Sequence, residues 1–240
     1  MIRIIYIFIL CYFVLGAVGF YFINRKKEKA IARKSWTKFG IYFFIINVLF
    51  FSIVINPVVF HILSVGIVLV GVAELFRLYK KSGFESTLFF GISILIYALL
   101  AAGFWKFSGA GKDLILYTFI VLSIFDAFSQ IGGQLFGKRK LAPRISPNKT
   151  IEGTLGGGGV ALISSFFLQR LLIYEFGVTF ILTALIIVFA FAGDIAASFY
   201  KRKFEVKDYS TLIPGHGGFL DRFDSLIAGG AGVTLFLMFL

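Results

Sequence analysis

Apolar runs of roughly 20 residues recur along this chain, separated only by short charged stretches. A run of that length matches the hydrocarbon thickness of a bilayer at 1.5 Å rise per residue. Inside lipid every backbone polar group must be satisfied within its own segment, which leaves helix as the conformation of such a run. The spacing predicts an all-α polytopic membrane helix bundle of about eight transmembrane helices, at 1–24, 39–55, 58–80, 87–107, 113–137, 152–174, 178–200 and 223–240. A hydrophobic content of 59% and a mean hydropathy of +0.93 exclude an ordinary soluble domain.

The formal charge of +12 does not point to nucleic acid, because the cations sit in clusters between apolar runs. Residues 25–38, 77–86, 138–149 and 201–222 hold 20 of the 24 Lys and Arg, all but Arg3, Lys106, Lys112 and Arg170. Cytoplasmic segments carry such an excess, so both ends of the chain are expected outside and these four stretches inside. The first run is followed by Arg25, Lys26, Lys27 and Lys29, and is expected to be a retained anchor. Leu10-Cys11 is a poor lipobox. One Cys excludes an internal disulfide, and with two His it makes zinc binding a poor reading. Two regions are expected: 1–112 as four spans forming a scaffold with lipid access, and 113–240 as a catalytic region with loops 138–149 and 201–222.

Residues 198–224 form the most polar passage between two apolar runs. They set Lys201, Arg202, Lys203, Lys207 and Arg222 against Glu205, Asp208, Asp221 and Asp224, with His216 in a Pro-Gly-His-Gly-Gly turn. Cations hold phosphate oxygens, and carboxylates hold a hard divalent ion that bridges them. Gly215, Gly217 and Gly218 permit close backbone approach or positive φ. The plain alternative is a solvated loop that only fixes topology.

The spacing argues against that alternative. Ser198, Lys201-Arg202, Lys207-Asp208, Ser210, Pro214, His216-Gly217-Gly218 and Asp221-Arg222-Phe223-Asp224 resemble the signature of the phosphatidate cytidylyltransferases, the CDP-diacylglycerol synthases. Tyr200 departs mildly, standing where that family usually has an aliphatic residue or Phe. Phe136-Gly137-Lys138, Leu141-Ala142-Pro143 and Ser146 to Gly153 resemble the family's central loop. Asp126-Ala-Phe-Ser-Gln130 replaces the more common Asp-Thr-Gly-Ala-Tyr. The two polar blocks cover about 60 residues, while the first four spans match only as a hydrophobic pattern.

The resemblance implies a membrane enzyme that joins CTP and phosphatidate into CDP-diacylglycerol and pyrophosphate. It implies that Asp194 and Asp221 hold a catalytic Mg²⁺, with a second monovalent or divalent cation left open. Asp126 and Asp224 are nearby metal candidates. Asp126 and Asp194 are ionisable groups inside apolar runs, where such groups are costly and mark function. Lys201, Arg202, Lys207, Arg222, Lys149 and Lys138 are expected to clamp the triphosphate and the lipid phosphate. His216 is assigned to loop geometry or pyrophosphate contact. Ser146, Asn148, Gly217 and Gly218 complete the expected nucleotide site. The partners are then CTP, a lipid phosphate and the bilayer, with no nucleic acid, and a homodimer is compatible with the chain. The expected location is a bacterial inner membrane, with the site facing the cytoplasm.

Other readings of the same residues are weaker. Gly132 to Lys138 has P-loop spacing, but Arg139 replaces the Mg²⁺-binding Ser or Thr. Asn148-Lys149-Thr150 is a formal glycosylation sequon on the wrong side of the membrane. Glu74 and Arg77 are expected to pair at i,i+3, His61 to be structural and Arg170 to snorkel. Gly156 to Gly159 are expected to serve close helix packing. A CTP-dependent polyprenol or phytol kinase, and a catalytically silent scaffold binding anionic lipid, remain as alternatives.

Overall fold

Asn56 ends one helix and starts the next: its side chain accepts from the Val58 N–H at 2.9 Å, and Pro57 takes the first helical position, where no N–H is needed. The computed structural model describes residues 2–25, 28–214 and 217–240. These form eight helices: α1 Ile2–Asn24, α2 Lys29–Ile55, α3 Pro57–Lys81, α4 Thr87–Ser108, α5 Lys112–Phe136, α6 Ile151–Leu168, α7 Phe176–Lys203 and α8 Leu220–Leu237. A 3-10 turn, Gln169–Leu171, prolongs α6.

The all-α bundle of eight helices is as expected, and one boundary needs correction. Among the described residues six helices, α2 to α7, are long and apolar enough to cross a membrane, and α1 contributes a shorter apolar stretch, Ile2–Val18. The last helix, α8, has only 18 residues and carries Asp221, Arg222 and Asp224 in its first turns. The second span starts early, because α2 extends back to Lys29 and carries Arg33 and Lys38 on its first turns.

Helix α8 is the centre of the bundle, buried without a break from Ser225 to Thr234. Small residues make this possible. Added to Gly230, a Cβ would sit 2.6 Å from a ring carbon of Phe107 on α4, and added to Gly232, 2.6 Å from the ring of Phe189 on α7. Thr234 Oγ1 donates to the Gly103 carbonyl of α4 at 2.7 Å. The opposite situation holds on α4, where Leu88, Ile92, Leu95 and Leu99 share one helical face and are all exposed. In a membrane protein such a stripe meets lipid.

The Gly156–Gly159 run packs only in part. A Cβ on Gly157 would lie 2.7 Å from the Phe125 carbonyl of α5, and one on nearby Gly153 2.8 Å from Gly133, whereas Gly156 and Gly159 face open space. The loop between α5 and α6 folds into a small antiparallel hairpin, β1 Lys140–Ala142 with β2 Ser146–Thr150. Thr150 then caps α6 by accepting from the Gly153 N–H at 3.1 Å. His61 is structural as expected, its Nδ1 being 2.8 Å from Ser108 Oγ.

Candidate functional site

Gly193 lets α7 approach α8 closely: a Cβ there would collide with Ala228 and lie 3.2 Å from the Asp224 carbonyl. That contact brings Asp194 of α7 toward Asp224 of α8. Asp224 lies within electrostatic reach of both Asp194 and Asp126 of α5, so carboxylates from three helices converge. Among the described residues no hydrogen bond reaches Asp126, and only one oxygen of Asp224 is used, accepting from the Ser225 N–H at 2.7 Å.

Cations stand around this group. The Lys149 ammonium, delivered by β2, forms an ion pair with Asp194 and lies 5.3 Å from the Phe191 ring centroid. Arg222 is exposed and, like Lys149, lies within electrostatic reach of Asp126. Two turns further along the same face of α7, buried Lys201 pairs with Asp221 Oδ1 at 2.5 Å.

Asp221 does something different from Asp224, although both lie in the first turns of α8. Its Oδ2 accepts from the Gly218 N–H at 2.7 Å and the Tyr209 N–H at 3.0 Å. With Lys201 on Oδ1, both oxygens of Asp221 are engaged by protein donors. Tyr209 closes the arrangement, with its ring 5.2 Å from the Lys201 ammonium and its hydroxyl donating to the Ala197 carbonyl at 3.2 Å. Burial first, then the charges of Asp224 and Asp221, pushes the Tyr209 hydroxyl well above its ordinary range, so it stays a neutral donor.

Several other predicted residues serve the framework. Arg202 donates from Nε to the Ile145 carbonyl at 3.0 Å and from its guanidinium to the Val206 carbonyl at 2.9 Å, tying the hairpin to the end of α7. Gly217 adopts φ +84°, and its carbonyl accepts from the Ile213 N–H at 3.0 Å. A Cβ on Gly218 would lie 2.8 Å from Glu74 and 2.9 Å from Asp221, so the protein itself fills the space its missing side chain leaves. Lys138, Asn148 and Lys207 are exposed, and Ser146 is half-buried on β2. The Lys138 N–H donates to Glu152 at 3.1 Å. His216 and Gly215 lie outside the described residues.

Sequence reasoning missed two residues that shape the site. Glu74 does not pair with Arg77 at i,i+3 as expected: it is 2% exposed and accepts three hydrogen bonds from the 210–220 segment. Tyr200, noted only as a departure, is buried and donates to the Leu75 carbonyl at 2.8 Å, linking α7 to α3. Both signals depend on partners more than 100 residues away in the chain.

Beside the carboxylates is an apolar cavity of about 280 Å³, walled by α3, α4, α7 and α8. Phe89, Ile96, Phe199 and Asp224 are among the residues that line it. Among the described residues no three His, Cys, Asp or Glu side chains form a ready metal-holding group. The donor set nevertheless fits a hard cation. Asp126 and Asp224 keep free carboxylate oxygens, lysine ammonium groups already stand as cations on Asp194 and Asp221, and Mg²⁺ commonly uses one or two carboxylates plus substrate phosphates.

Apolar helices around converging carboxylates and cations define an integral membrane protein equipped to handle anionic groups at helix ends. Residues 89–240 match the model of the Cytidylyltransferase family, and the chain belongs to that family. It is 36% identical over 194 residues to a phosphatidate cytidylyltransferase of Rickettsia felis, covering 77% of this chain and 82% of that protein. It is 42% identical over 135 residues to the Haemophilus influenzae phosphatidate cytidylyltransferase, and 40% over 139 residues to that of Staphylococcus haemolyticus. Those two matches cover 54% and 56% of this chain but only 47% and 54% of the relatives, so the chain spans about half their length.

Proposed function

We propose that this protein transfers CMP from CTP to phosphatidate, giving CDP-diacylglycerol and pyrophosphate. The observation that carries the reading is the grouping of Asp126, Asp194 and Asp224 with Lys149 and Arg222, next to an apolar cavity that Asp224 helps to line. Polar substrate and lipid substrate then meet at one place. A phosphate oxygen of the lipid attacks the α-phosphorus of CTP, a P–O bond forms there, and the bond to the pyrophosphate oxygen breaks. The lipid phosphate is largely ionised at neutral pH, so no base is required. The work of the protein is positioning and neutralisation of charge.

Arg222 and Lys207 make no ion pair among the described residues and can turn toward phosphate oxygens, and Lys149 would join them where Mg²⁺ takes its place on Asp194. Lys201 is committed to Asp221 and holds the loop instead. One or two of Asp126, Asp194 and Asp224 would hold Mg²⁺, with substrate phosphates completing its shell. Bound there, the ion would neutralise charge on the phosphates and on the departing pyrophosphate. Asp221 would join it only by giving up a protein donor. The proposed setting is the cytoplasmic membrane of a bacterium, with the loops facing the nucleotide pool.

The test is incubation of purified, detergent-solubilised protein with α-labelled CTP, Mg²⁺ and phosphatidate. Label is expected in the lipid phase with equimolar pyrophosphate, lost with EDTA and restored by excess Mg²⁺. Transfer of γ-label to an alcohol instead would establish the lipid-kinase alternative.

A further inference from the structure

An ionisable side chain within an apolar helix is costly unless it is paired or fully hydrogen-bonded. Glu74 of α3 solves this with donors from far along the chain. Its Oε1 accepts from Ser210 Oγ at 2.5 Å and from the Phe219 N–H at 2.8 Å, and its Oε2 accepts from the Leu220 N–H at 2.6 Å. Two of these donors are backbone N–H groups at the start of α8, which have no partner within their own helix. The carboxylate also faces the positive end of that helix's dipole. Gly218 seats directly against it.

We infer that Glu74 is a positioning residue for the transfer site: it seats Ser210, Phe219 and the first turn of α8, so that Asp221 meets Lys201 while Asp224 stands on the α7 side near Asp194. This rests on the transfer reading above. Glu74 also fills the N-terminal anion site of α8, which leaves the phosphates of a nucleotide to cationic side chains. Since it lies outside the family-matched residues 89–240, it makes the N-terminal helices part of the site's construction.

The experiment compares the full chain with Glu74→Gln and Glu74→Asp in detergent. Gln keeps the size but replaces one acceptor oxygen with a donor facing an N–H. Asp keeps the charge but is one methylene shorter. Two quantities are read: kcat and KM for CTP, and the rate of trypsin cleavage after Lys207 in the loop relative to cleavage after Arg139 at the hairpin. For Glu74→Gln, kcat is expected to fall about 10- to 100-fold with KM changed less, about three- to tenfold, because every cation is retained and only Arg222 and Lys207 loosen with the segment. Cleavage after Lys207 should accelerate about tenfold with Arg139 unchanged, as a local opening requires. Glu74→Asp should recover part of both losses. A wild-type kcat and cleavage ratio in the Gln variant overturns the inference. Equal acceleration at both cleavage sites also overturns it, marking Glu74 as a general stabiliser. If the wild type makes no labelled lipid, the transfer reading fails alone, and the cleavage ratio still decides whether Glu74 seats the loop.

Discussion

Asp221 and Asp224 stand three residues apart on one helix, yet their surroundings assign them different work. Asp221 is held by Lys201 and by two backbone N–H groups, whereas Asp224 shares its field with Asp194 and Asp126. The expected outcomes of neutralising them therefore differ. Asp221→Asn leaves the Lys201 ammonium buried without its counterion, a change that typically costs about 3–5 kcal/mol. Its thermal midpoint in detergent should fall clearly along with turnover. Asp126→Asn removes a carboxylate that no hydrogen bond reaches among the described residues, so stability should stay within about 0.5 kcal/mol of wild type. Turnover should nonetheless fall about 100-fold or more, because that carboxylate would help hold the Mg²⁺ that neutralises the reacting phosphates. Melting curves and label transfer on the two variants check both statements, and equal melting of the two would count against the division of labour.

At the scale of elements, the α7–α8 contact sets the distance between carboxylates, and Gly193 sets that contact. Gly193→Ala forces a methyl into Ala228 and toward the Asp224 carbonyl. Such overpacking costs about 1–3 kcal/mol and should part Asp194 from Asp224, lowering both melting temperature and kcat. Gly156→Ala, whose Cβ meets open space on α6, should leave both unchanged. The same elements show what the sequence reveals. The helices were legible because a lipid-crossing run must be about 20 residues long and apolar throughout. The start of α2 was not, since Arg33 and Lys38 read as loop although helix tolerates them well. The hairpin at 140–150 was obscured by Pro143 and Pro147, which argue against a central strand but are tolerated on a two-stranded edge. Asp194 stood out as an ionisable group inside an apolar run, and Asp224 and Lys149 through the resemblance of the two polar blocks. Glu74 was not, because i,i+3 spacing offered Arg77 as a nearer partner than donors on a loop 136 residues away.

For the whole molecule, the distribution of charge makes a statement about orientation that the fold can be asked to meet. The cations left out of the four basic stretches include Arg3, Lys112 and Arg170. These three come from α1, the start of α5 and the turn after α6, and they line one cleft of about 450 Å³. Residues scattered through the sequence thus gather at one end, where α5 begins. The hairpin and its cations follow the other end of α5. One helix crossing separates the two groups, so a membrane-impermeant maleimide should reach them from opposite sides. In a Cys11→Ser background, Lys140→Cys should react only in inverted vesicles and Arg170→Cys only in right-side-out cells, as the excess of basic residues inside requires. Labelling of both from one side would mean that α5 does not cross. Labelling with the sides exchanged would put the carboxylates, and the proposed nucleotide site with them, on the face away from the cytoplasmic supply of CTP.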